Sequence, residues 1–165
     1  MTSPKPQPDT PRVQVDQAHV GYGATPVLRR VSLSVAEGEF VGVIGPNGCG
    51  KSTLLRSVSG ILRPSGGSVR VDGLDVASYS TKALARKLAV VSQELNTPFG
   101  FTVEETVRMG RLPHERRMGP DSDAADEVVR RAIEEADLTS FVDRPITQLS
   151  GGERQRVAVA RALAQ

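Results

Sequence analysis

The stretch GPNGCGKST, residues 45–53, decides how this chain is read. It follows an apolar run, FVGVI (40–44), and precedes LLRSVSG (54–60), which has helical character. Strand, glycine-rich turn and helix make the setting a phosphate-binding loop needs. The pattern is Gly45, then Pro46, Asn47, Gly48 and Cys49, then Gly50, Lys51 and Ser52, with Thr53 entering the helix. Glycines let successive backbone N–H groups curl around an anion without Cβ clashes. A helix starting near Lys51 aims its free N–H groups and the positive end of its dipole at the same point. Lys51 supplies a mobile cation for terminal phosphates, and Ser52 a hydroxyl for a magnesium ion that bridges two of them. A merely structural glycine turn is the alternative, and the complete motif in its context argues against it. By itself the loop implies a bound nucleoside triphosphate and does not choose among the activities built on such loops.

A second motif narrows the choice. LSGGERQR (149–156) is followed by VAVARALAQ (157–165). A Ser-Gly-Gly turn opens a helix whose first turn carries Glu153 and whose apolar face is Val157, Ala160 and Leu163 or Ala164. On local physics alone this is a capping box, with Ser150 and Glu153 satisfying each other's backbone N–H groups. It is also a second helix N-terminus with glycines ahead of it, hence a second place for an anion.

The phosphate loop followed about a hundred residues later by LSGGE resembles the ATP-binding cassette (ABC) family. The resemblance covers residues 13–165. It implies an α/β fold of the P-loop NTPase type, with a small antiparallel β subdomain and a helical subdomain at about 95–150. Tyr22, in HVGYG, is similar to the aromatic that stacks on adenine; LRPSGGSVRVDG (62–73) resembles the strand and turn after the first helix. Gln93, in VVSQ, resembles the glutamine that touches magnesium and the attacking water and relays movement to a membrane partner. Read locally, Tyr22 is a turn aromatic packing over a hairpin, and Gln93 is a polar residue closing a strand. The resemblance implies ATP and Mg2+ as cofactors. Lys51 and Gln93 serve catalysis, Ser52 and Gln93 serve the metal, and residues 45–53 hold the nucleotide. It implies head-to-tail pairing, in which a second subunit's Ser150, Gly151, Gly152 and Glu153 close over the terminal phosphate. Permease subunits would follow the opening and closing from the membrane, placing the chain in the cytoplasm on the inner face of the plasma membrane.

TPFGFTVEETVRMGRLPH (97–114) resembles the ATPases of iron–siderophore, haem and vitamin B12 importers, RMGRLPH above all. Arg108, Arg111, Arg116 and Arg117 in and beside it read either as a solvated basic face or as a docking surface for a membrane subunit. Chromosome-maintenance and DNA-repair ATPases share both motifs, but separate them by long coiled coils or zinc insertions. Here the gap is short, without sustained heptads or cysteine pairs. A P-loop kinase or GTPase is disfavoured by LSGGE. An ATP-binding module without catalytic activity is the remaining alternative. The family continues past such a signature helix with an Asp-Glu strand and a switch histidine. The chain therefore reads as a partial ABC domain, lacking its general base, that folds poorly and is inactive alone. His19, His114, Glu94 and Glu153 are not replacements.

Composition agrees with a globular domain: 38% of residues are hydrophobic and 24% charged. The net charge of +2 is too small to argue for nucleic-acid binding. No apolar run approaches the roughly 20 residues that span a bilayer. MTSPKPQPDTPR (1–12) has four prolines and no hydrophobic stretch, and reads as a flexible tail. The single cysteine, Cys49, has no internal disulfide partner, as in a reducing compartment. Alternation predicts antiparallel strands over 13–20 and 31–35 and a short strand at 68–71. A near-continuous apolar run predicts a strand of the buried type at 40–44, expected to be left with unpaired N–H and C=O groups, and a further strand is expected at 88–92. Helices are expected at 51–59, 81–87, 103–110 and 124–136.

Overall fold

The computed structural model describes residues 11–23, 25–93, 100–114 and 123–165. The chain divides into two compact units, residues 1–87 and 88–165. Most of the expected tail, residues 1–10, lies outside the described residues, as do Glu94, Arg116 and Arg117.

The first unit is built on a four-stranded antiparallel sheet. Its strands are β1 (Val13–Tyr22), β2 (Thr25–Val35), β3 (Gly66–Val71) and β4 (Leu74–Asp75), in the order β2-β1-β3-β4. Val15, Ala18 and Val20 are buried on β1, and the three-residue step from 15 to 18 is taken up by an irregularity in the strand. Val15 faces Leu33 on β2 and Val69 on β3, so apolar side chains line up across the sheet. A bulge interrupts both pairings of β1 after Asp16. Gln17 takes a φ of 45° there; its backbone N–H donates to the Ser32 hydroxyl at 2.9 Å, and its side chain accepts from Arg30 at 2.9 Å. Asp72 and Gly73, with φ of 49° and 77°, close the β3–β4 hairpin as a two-residue Asp-Gly turn. Helix α1 (Lys51–Val58) packs on this sheet and buries Thr53, Leu54 and Ser57. Helix α2 (Thr81–Ala85) begins at a Ser80 cap and buries Leu84.

The second unit is helical. It contains α3 (Val103–Arg108), a 3-10 turn (Met109–Arg111), α4 (Asp123–Glu135) and α5 (Gly151–Ala164). Their apolar faces meet in one core, centred on Val107, Val129, Ile133, Leu138, Ile146 and Val157.

Two expected strands are absent from the structure. Residues 40–44 and 88–92 have no regular secondary structure, and no parallel strand pairing occurs among the described residues. Phe40 and Ile44 are 97% and 96% exposed. An apolar run becomes a strand only when a neighbour takes up its N–H and C=O groups, and neither run finds that neighbour here. Helix α1, β1 and β3 form close to where expected, β2 begins earlier than the expected 31–35, and β4 is an additional short strand.

Candidate functional site

The phosphate-loop stretch runs from the exposed apolar segment into α1. Gly48 and Gly50 have φ of 81° and 97°, values that L side chains rarely adopt. Gly50 is the N-cap of α1 and caps it with no side chain, so the first amides of the helix have no intrachain side-chain acceptor. A Cβ on Gly50 would also lie 2.6 Å from Leu28 Cδ2, so the loop rests directly on β2. The Lys51 ammonium turns back into the loop and donates to the carbonyls of Gly45 and Pro46, both at 2.7 Å. It lies 3.8 Å from Cys49 Sγ. Cys49 and Ser52 are exposed, whereas Thr53 is buried beneath the helix.

These groups form a consistent donor set. Amides at a helix start, one ammonium and flexible glycines suit a multiply charged oxyanion. The Ser52 hydroxyl is a hard oxygen of the kind Mg2+ takes while keeping most other ligands from phosphate and water. Among the described residues, no group of three or more His, Cys, Asp or Glu is placed to hold a metal by itself.

Tyr22 closes β1 opposite Thr25, in the same unit as the loop. Its ring is half exposed, and its hydroxyl accepts from Arg56 Nη1 on α1 at 2.8 Å. Hydrogen bonding with Thr53, and next with Arg56, holds the phenol below its ordinary pKa. Arg56 is a partner that the sequence reading missed. Its position three residues after Thr53, on one helix face, was the available signal.

Gln93 and the signature residues belong to the second unit. Gln93 is exposed, in a stretch without regular structure. The Ser-Gly-Gly corner forms the complete capping box: Glu153 N–H donates to Ser150 Oγ at 3.3 Å, and Ser150 N–H to Glu153 Oε2 at 2.6 Å. These bonds from Ser150 pull the Glu153 carboxyl below its usual range. The local reading of this motif is therefore realised in full. Gly151 and Gly152 stand apart from it, since a Cβ at either would meet no described atom within 4 Å. Nothing in the fold of the described chain requires glycine at these two positions.

Of the four arginines read either as a solvated basic face or as a docking surface, Arg108 and Arg111 are described, and neither is a freely solvated cation. Arg108 is neutralised by Glu104 at 2.8 Å and by Asp126, which raise its pKa further. It stands at an open groove of about 480 Å³, floored by Val129 and Ile133 and rimmed by Asp123, Asp126, Glu127 and Glu134. Arg111 points inward, toward α5.

Antiparallel sheet, phosphate loop and helical unit together define a mixed α/β domain of the P-loop type. The family model described as ABC transporter matches residues 28–165, and the chain belongs to that family. It is 49% identical over 146 residues to the cobalamin import ATP-binding protein BtuD of Halobacterium salinarum, covering 88% of this chain and 36% of that protein. It is 44% identical over 153 residues to the hemin import ATP-binding protein HmuV of Rhodopseudomonas palustris, covering 93% of this chain and 56% of that one. Among solved structures, a nucleotide-free ATP-binding cassette from an ABC transporter superposes with a TM-score of 0.80 at 27% identity, over 94% of this chain and 65% of the other. The chain thus spans between about a third and just over half the length of these two curated relatives. Among the described residues, no helix is long and apolar enough to cross a membrane.

Proposed function

We propose that this chain is the nucleotide-binding part of an importer ATPase, which uses ATP with Mg2+ to move an iron–siderophore, haem or cobalamin cargo. The observation that carries the reading is Lys51 folded into a loop whose Gly48 and Gly50 have positive φ, at the uncapped start of α1. Lys51 and the first amides of α1 bind and orient the triphosphate. Ser52 offers a protein oxygen for Mg2+. Tyr22, held by Arg56, presents its exposed ring to the base. ATP supplies the chemical free energy that opens and closes the assembly.

The second half of the site comes from another copy, paired head to tail. Its Ser150, Gly151 and Gly152 seal the terminal phosphate with a second helix N-terminus, and Glu153 holds that corner in shape. The open surroundings of Gly151 and Gly152 support this reading, because glycines unneeded inside a fold suit a close approach from outside it. Permease subunits are the membrane partners, at the inner face of the plasma membrane. BtuD and HmuV carry cobalamin and hemin import in their names, which supports the cargo class.

Titration with a fluorescent ATP analogue tests the reading. Wild-type protein should bind it with Mg2+ present, and Lys51→Ala should lose about a hundredfold or more in affinity. Equal affinity for the two proteins refutes the assignment. Binding without phosphate release, with the membrane subunits present, would instead identify a non-catalytic module.

A further inference from the structure

Tyr22 is held at both ends of its side chain. Its backbone pairs with Thr25 on β2, so the sheet fixes its Cβ. Helix α1, which packs on the same strands, fixes its hydroxyl. The phenol oxygen accepts from Arg56 Nη1 at 2.8 Å and is also hydrogen-bonded with Thr53. Thr53 and Arg56 lie three residues apart, on one face of the helix. Thr53 is buried, whereas Arg56 is exposed, in the last turn of α1. Among the described residues Arg56 forms no ion pair with a carboxylate. A cation in a last turn is favoured by the helix dipole alone. That role does not require the side chain to be ordered against a phenol 34 residues away in the chain, which costs rotamer entropy.

The two anchorages have a consequence for the ring. A tyrosine held only at its Cβ moves among its χ1 rotamers, and a ligand that stacks on it must stop that motion. With the hydroxyl held as well, the ring keeps one direction, and only rotation about the line from Cβ to the hydroxyl remains. Because the hydroxyl is engaged by α1, the part of this 45% exposed side chain that is open to a ligand is the ring. The helix that holds it is the one that begins at Gly50 and Lys51. Its first turn offers amides to phosphate, and its last turn steers the aromatic ring.

We infer that Arg56 is a positioning residue for the base: by holding the Tyr22 hydroxyl against α1, it fixes the ring in the direction that meets a base whose triphosphate lies at the start of the same helix. The inference rests on the proposed nucleotide site, with Tyr22 presenting its ring to the base. Arg56 acts through Tyr22 and leaves the phosphate loop's own affinity alone.

The test measures two ligands by competition against a fluorescent ATP analogue, with Mg2+ present: ATP, and inorganic tripolyphosphate, which has the phosphates without the base. Arg56→Ala should weaken ATP about two- to tenfold, the effect of having to immobilise one more side chain on binding, and leave tripolyphosphate unchanged. Tyr22→Phe, which keeps the ring and loses the hydroxyl, should weaken ATP by a similar factor. Adding Arg56→Ala to Tyr22→Phe should change nothing further, because both act through one bond. A spectroscopic readout is independent of binding. The chain has two tyrosines; burial pushes Tyr79 above its ordinary pKa, while the bonds with Thr53 and Arg56 hold Tyr22 below it. The first phenolate to absorb as pH rises is therefore that of Tyr22, and in Arg56→Ala it should form at higher pH. Equal weakening of ATP and tripolyphosphate in Arg56→Ala overturns the inference, since a merely structural role acts on both. Wild-type affinity for ATP, additive losses in the double variant, or a phenolate step that does not move also overturn it. Should Arg56→Ala fail to fold, Tyr22→Phe decides: a loss confined to ATP supports the inference, and wild-type affinity for ATP overturns it. A wild-type protein that binds ATP no better than tripolyphosphate overturns the base site itself, and one that binds neither overturns the phosphate loop. Both are distinct from variants that match a wild type preferring ATP.

Discussion

Substituting Ser150 separates two roles that coincide at one hydroxyl. The structure shows Ser150 Oγ accepting from Glu153 N–H at 3.3 Å. That distance is long for an N–H···O bond, so losing it in Ser150→Ala should cost at the low end of the N-cap range, about 0.5–1 kcal/mol. In a chain of this size that is a fall of roughly 1–4 °C in Tm. The hydroxyl proton is not used by this bond and is free to donate outward, to a partner's phosphate in the proposed pair. A hydrogen bond to a charged acceptor contributes about 1.5–3 kcal/mol, which at about 1.4 kcal/mol per decade is roughly a 10- to 150-fold loss of turnover. Ser150→Asp discriminates between the roles. Aspartate caps as well as serine, so Tm should stay near wild type. It has no proton to donate and repels phosphate, so turnover should fall at least as far as in the alanine variant. Melting followed by circular dichroism and phosphate release in the assembled transporter give the two numbers. Wild-type turnover in Ser150→Asp would refute the sealing role and leave the capping box as the whole purpose of the motif.

Other consequences are simpler to measure. Gly50→Ala combines an unfavourable φ of 97° with a Cβ 2.6 Å from Leu28 Cδ2, and should cost about 1–3 kcal/mol in denaturant unfolding as well as most nucleotide binding. Leu138→Ala, at a fully buried position of the helical core, should destabilise that unit by about 3 kcal/mol without touching the loop. Alkylation of exposed Cys49, 3.8 Å from the Lys51 ammonium, should block nucleotide binding, and ATP should slow the labelling; equal labelling rates with and without ATP would count against occupation of the loop. The Glu153 carboxyl is held below its ordinary value of 4.5 by its bonds from Ser150. A depressed carboxyl stabilises the folded state fully above the unfolded value and loses that contribution as pH falls through the folded one. The Tm difference between wild type and Glu153→Gln should therefore be fully present above the ordinary value of 4.5 and shrink as pH falls through the lowered folded value; a difference independent of pH would show that the charge contributes nothing.

The sequence by itself determined the parts of this protein that depend on residues close together in the chain. The glycines, Lys51 and Ser52 of the phosphate loop could be read directly, because a turn into a helix is set by a few successive dihedrals and one exposed helix start. The Ser150–Glu153 box was legible for the same reason, its two bonds spanning three residues. The pattern marked β1, the second half of β2 and most of β3, whereas β4 and its hairpin were not read. Only the tertiary structure decided the rest. Residues 40–44 and 88–92 are as apolar as strands, yet form none among the described residues, since a strand is defined by a neighbour and not by its own composition. Arg108 and Arg111 looked alike as basic residues on a surface; one is neutralised by Glu104 and Asp126, and the other reaches 53 residues along the chain to the end of α5. Such partners are set by which helix packs on which, a property of the folded core that no local window of sequence contains.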